Sequence, residues 1–114
     1  MPASPAVIGV IGDITGSRRI APRERVALQT TLERLMTHVN KRYRDAVLAD
    51  FLVTLGDEFQ GILRDPVVIP DIVQDVRERL PRVRLRIAVS KGALAAAMLY
   101  LCDLGSILIA GVIP

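Results

Sequence analysis

Val7-Ile8-Gly9-Val10-Ile11 is an unbroken apolar run that stops at Gly12-Asp13. It is too short for an ordinary helix or a secretory signal, and it leaves no face for water, so it reads as a strand buried on both sides. Such a strand needs a neighbour on either edge and a covering layer on either face. The rest of the chain has to provide them.

The next segments have the right periods. After the polar loop Thr15 to Arg19, Pro22 suits the first position of a helix, and Leu28, Leu32, Leu35 and Val39 follow at four- and three-residue intervals, one apolar stripe. Phe51 to Leu55 and Phe59 to Leu63 flank Gly56-Asp57-Glu58 as the two strands of a hairpin would. Asp65-Pro66 pairs a capping carboxylate with a residue that has no amide to satisfy, and Ile69, Ile72, Val73, Val76 and Leu80 continue at helical spacing to Pro81. Pro70 would clash inside a helix begun at Pro66, so the regular part is expected to start only at Pro70. Val83 to Val89 alternates apolar and basic residues, the pattern of a strand with one wet side. Ala93 to Leu104 is compatible with a third helix and Ile107 to Ile113 with a last strand.

Strand, helix, strand, strand, helix, strand is the order of a ferredoxin-like split βαβ unit, an α+β fold with its helices on one face of the sheet. There the first strand is central, so Val7 to Ile11 is expected between Phe59 to Leu63 and Val83 to Val89. The end of the first strand then lies beside the start of the third. Asp13 and Asp57 occupy those two places.

Two carboxylates at adjacent strand ends repel one another unless a cation, a proton or an arginine intervenes. A divalent cation is one solution: Mg²⁺ takes hard oxygen ligands, often only one or two protein carboxylates, and leaves positions for water and phosphate. Asp13 and Asp57 would be its ligands, as Mg²⁺ or Mn²⁺. Glu58 would be an acceptor behind them, a base, or a solvated turn residue. Thr15, Ser17, Arg18 and Arg19 lie just past the first strand and could hold a phosphate, and Lys91, after the fourth strand, could add charge to the same rim. The competing reading is ordinary turn chemistry: glycine supplies positive φ, each carboxylate takes local amides, and Arg18 is an ion-pair partner of the acids. His38 then belongs to the helix surface, and Cys102 is a small core residue.

Composition narrows the partners. The 114 residues include only four aromatic rings, Phe51, Phe59, Tyr43 and Tyr100, too few for a surface that stacks successive bases, and a net charge of +3 spread over scattered arginines is no nucleic-acid signature. A single cysteine excludes an internal disulfide and a cysteine metal cluster. The start, Met1 to Pro5, has no basic region leading into a long apolar stretch, which points to the cytoplasm. Residues 92–114 form an apolar tail that approaches the length of a membrane span, but Asp103 near its middle would cost about 3 kcal/mol on insertion. The expectation is a tail that promotes homo-oligomer formation instead.

Gly12-Asp13-Ile14-Thr15-Gly16-Ser17-Arg18 and Thr54-Leu55-Gly56-Asp57-Glu58-Phe59-Gln60-Gly61 resemble the two signatures of the SatD family, which is linked to bacterial acid tolerance. The resemblance runs from about Val7 to Val89. It implies a single domain, 1–114, that is the N-terminal portion of a longer family domain, and a cytoplasmic role in stress or acid tolerance. A more distant likeness is to the palm-like domains of GGDEF proteins and class III nucleotidyl cyclases. That likeness implies that Asp13 and Asp57, with Glu58 beside them, hold a metal and nucleotide phosphates. Leu55 stands where GGDEF has its first glycine, which argues against close backbone approach of a nucleotide there and against diguanylate synthesis. Two functions follow for test: a metal-dependent site for a nucleotide or other phosphorylated small molecule, or a noncatalytic interaction module whose acidic loops are structural.

Overall fold

The computed structural model describes residues 6–15, 20–54, 56–81 and 83–93. The elements run β1 (Ala6–Thr15), α1 (Pro22–Arg42), β2 (Val47–Val53), β3 (Glu58–Leu63), a 3₁₀ turn (Pro66–Val68), α2 (Ile69–Arg79) and β4 (Arg84–Ala93). The four strands form one sheet in the order β2-β3-β1-β4, antiparallel at every pairing. β1 is therefore central, between β3 and β4, as the split βαβ order requires.

The period of two sorts the side chains of β1 onto both faces. Ile8, Val10 and Ile14 join the main core with Leu32, Leu35, Met36 and Val39 of α1, Ile72 and Val76 of α2, and Phe51, Phe59 and Leu63 of the neighbouring strands. Val7 and Ile11 face the other way and form a second, smaller cluster with Ile62. Both helices thus cover one face, and the unbroken apolar run of β1 is explained by burial on both.

β1 does not end at Ile11. It continues to Thr15, with Gly12 opposite Phe59 and Asp13 opposite Glu58. Gly12 is no turn residue: a Cβ there would overlap the Phe59 ring, so the glycine makes room for the aromatic across the strand pair. Gly61 does the same for Phe51, where a Cβ would lie 2.5 Å from Cγ. The hairpin strands are also displaced from expectation. β2 begins at Val47 and ends at Val53, and β3 begins at Glu58, which is a strand residue and not part of the turn.

Asp65 caps the 3₁₀ turn by accepting the Val67 amide at 3.0 Å, and α2 proper begins only at Ile69, with Pro70 in its first turn. The side chain of Asn40 on α1 both donates to the Phe51 carbonyl (3.0 Å) and accepts the Phe51 amide (2.7 Å), closing part of the free edge of β2. The two helices are fastened by Asp75 on α2. Its buried carboxylate accepts the Tyr43 hydroxyl at 2.7 Å and the Arg42 guanidinium at 2.7 Å. Burial, then the hydrogen bond to Asp75 and the charge of Asp75, push the Tyr43 phenol up to about 12.

β4 runs past Val89 to Ala93, so a helix cannot start at Ala93. The remainder of that expected helix, the expected last strand, Cys102 and the tail expected to self-associate lie outside the described residues. Among the described residues no helix is long and apolar enough to cross a membrane.

Candidate functional site

The antiparallel order sets one rim of the sheet: the end of β1, the start of β3 and the start of β4. Asp13 lies in register with Glu58 on one side and Arg86 on the other. The Ile14 amide donates to the Asp57 carbonyl at 3.0 Å, which ties the hairpin turn to the end of β1. The turn closes through Thr54, whose amide donates to the Glu58 carbonyl at 2.8 Å, and it needs Gly56 at φ 75°, a backbone angle that glycine adopts without strain. Asp13, Asp57 and Glu58 therefore share one rim.

Their surroundings differ. The Asp13 carboxylate, 16% exposed, takes two hydrogen bonds from the mostly exposed Arg86, Nε to Oδ1 at 3.3 Å and Nη2 to Oδ2 at 3.2 Å. Glu58 is 3% exposed, which excludes a solvated turn residue. Burial raises its carboxyl above the ordinary range. The hydroxyl of Thr54, donating to Oε1 at 3.3 Å, works against that shift, and the charges of Asp13 and Asp57 add to it. Asp57 is half-buried in the turn.

Thr15 is the last residue of β1, exposed and opposite Arg84. Ser17, Arg18 and Arg19 lie outside the described residues, and Asp13 is held by Arg86. Lys91 does not approach the acids. It pairs with Ile8, five residues before Asp13 along β1, roughly 17 Å away at strand spacing. The reason is direction: β4 runs antiparallel to β1, so its start, not its end, meets Asp13.

Arg86, Arg84 and Thr54 are the rim residues that sequence reading missed. The alternation of Arg84 and Arg86 at the head of an expected antiparallel strand was the available signal. Three of the four aromatic residues, Phe51, Phe59 and Tyr43, are buried.

The donors at the rim are hard oxygens, which suit Mg²⁺ or Mn²⁺, and the mutual repulsion felt at Glu58 is the electrostatic condition a cation relieves. Among the described residues no three His, Cys, Asp or Glu side chains form a group able to hold a metal. A cation here would rest on fewer protein ligands, with water or phosphate completing its shell.

This sheet order, with both helices on one face and acids on the rim, defines a palm-like α+β domain of the kind found in nucleotide cyclases. The guanylate cyclase domain of RhGC from Catenaria anguillulae, solved in complex with GTP, matches with a TM-score of 0.60 at 17% identity over 81% of this chain and 59% of that one. The catalytic core of a rhodopsin-guanylyl cyclase with converted specificity, in complex with ATPαS, matches with a TM-score of 0.60 at 18% identity over 78% of this chain and 58% of that one. A dimeric guanylyl cyclase domain of the RhoGC fusion protein from Blastocladiella emersonii gives 0.59 at 18% identity, again over 78% of this chain and 58% of that one. The chain thus spans under two thirds of each of these cyclase chains, and the likeness is one of fold. No curated protein matches the sequence. The chain belongs to the SatD family, whose model matches residues 7–106. The match extends beyond Val89, so most of the apolar tail falls within the family.

Proposed function

We propose that the rim binds a divalent cation, Mg²⁺ or Mn²⁺, together with a nucleotide or another phosphorylated small molecule. Asp13 and Asp57 are the cation ligands in this reading. Glu58 stands behind them as a buried acceptor. The observation that carries the proposal is the convergence of three acids from two distant segments on one rim, close enough that Asp13 and Asp57 raise the carboxyl of Glu58. The cyclase-like fold supports a phosphate-bearing ligand. A cytoplasmic role in bacterial stress or acid tolerance accords with membership of the SatD family.

One observation favours a second reading. Asp13 is already neutralised by Arg86 through two hydrogen bonds, as in a noncatalytic interaction module whose acids only hold the rim together. Calorimetry separates the two. The first reading expects heat on titrating Mg²⁺ or Mn²⁺ with a panel of nucleoside triphosphates, lost in Asp13→Asn and in Asp57→Asn. Folded protein that binds none of them favours the second.

A further inference from the structure

β1 is buried on both faces, yet both described helices lie on one of them. On the other face Val7, Ile11 and Ile62 are each at most 4% exposed. Ser90, in register with Gly9, is buried there too, and the side-chain oxygen of Gln60, in register with Ile11, is sealed from water. An antiparallel sheet with one face in solvent carries polar, wet residues on that face. Here the face is apolar and shut off from water, which calls for a further layer. The burial is graded along the strands. On β1 it runs from Val7 and Ile11, buried, through Asp13, partly exposed, to Thr15, exposed. On β4 it runs from Ser90, buried, through Ala88, partly exposed, to Arg86 and Arg84, exposed. The missing layer therefore belongs over the end of the sheet away from the acidic rim.

We propose that residues 94–114 of the same chain dock on this face and complete a second core with Val7, Ile11 and Ile62. Three observations single them out. β4 finishes at the buried end, where Gly92 and Ala93 pair with Val7 and Ala6, so the segment leaves the sheet beside the surface it is to cover. Its composition fits that surface, being aliphatic with Asp103 as its one charged residue. The family model runs through residue 106, so the first part of the segment belongs to the same family unit as the sheet. The other residues outside the described ranges, 1–5, 16–19, Leu55 and Arg82, are too few to form a layer. Val7 to Ile11 spans roughly 13 Å at strand spacing, which about nine residues cover even at the helical rise of 1.5 Å. Such a cover leaves the rim open, and the inference does not rest on the proposed cation site.

Nuclear Overhauser contacts between isotope-labelled methyl groups test this in the full chain without altering a residue. Cross-peaks are expected from Val7, Ile11 and Ile62 to methyl groups of residues 94–114. A mixture of labelled and unlabelled chains, read through an isotope filter, separates contacts within one chain from contacts between two copies. Ala88→Glu places a charge on the same face, in register with Ile11, and should abolish those cross-peaks while the ones inside the helix-side core remain. The proposal is overturned by a folded wild type without cross-peaks from this face to 94–114, or with such cross-peaks only between copies. Cross-peaks from 94–114 that go to α1 and α2 instead overturn it as well, and so does a folded Ala88→Glu variant that keeps the full wild-type set.

Discussion

Asp13 and Arg86 lie 73 residues apart in the chain and meet as a two-point ion pair across the neighbouring strands β1 and β4. With Arg86 60% exposed, the pair is open to solvent on one side, so its worth to the fold is small. Exposed ion pairs contribute about 0.2–1 kcal/mol. Arg86→Ala is accordingly expected to lower the unfolding free energy by no more than about 1 kcal/mol in urea titrations, an effect that shrinks with added salt. A loss of several kcal/mol would mean that the pair is structural first.

Glu58 gives a pH signature. Its folded-state carboxyl is raised above the ordinary value of 4.5, so between those two values the folded chain holds more protons than the unfolded chain. The stability this contributes is full below the unfolded value and is lost as pH rises through the folded one. Relative to the wild type, Glu58→Gln should therefore become more stable as pH rises above the unfolded value. Denaturant midpoints measured from about pH 4 to pH 7 would check it. A variant whose stability relative to the wild type falls as pH rises would contradict the sign.

The junction of α1 and α2 depends on a buried acceptor. Asp75→Asn should cost roughly 1–3 kcal/mol, because the charged acceptor shared by Tyr43 and Arg42 is weakened where water cannot replace it. The same variant should bring the alkaline titration of Tyr43 down from about 12, since Asp75 is a cause of its height. Absorbance of the phenolate in a Tyr100→Phe background reads Tyr43 alone. In the wild type, the stability tied to this group is present below about pH 10 and is lost as pH rises from there through the folded value.

Gly12 and Phe59 form a packing pair. Gly12→Ala should destabilise by about 1–3 kcal/mol, because the methyl group enters the space of the Phe59 ring. Phe59→Leu combined with Gly12→Ala should cost less than the sum of the two single changes. Simple additivity in a double-mutant cycle would show that the two residues do not share that space.

The sequence by itself determined the element order, the central place of β1, the apolar stripe of α1 and the meeting of Asp13 with the acids of the hairpin. Each follows from a short-range period or from topology, which local residue patterns record. Tertiary structure decided the rest. Gly12 and Glu58 look like turn residues in isolation, and only the Phe59 ring above the glycine and the pairing of Glu58 with Asp13 make them strand residues. The partner of Asp13 is Arg86 because an antiparallel β4 brings its first residues to the rim and carries Lys91 away from it. Asp75 joins Tyr43 from 32 residues away, a contact that no local pattern announces. Such pairings depend on which strand ends meet and on what each side chain loses when water is excluded, and both are properties of the folded chain.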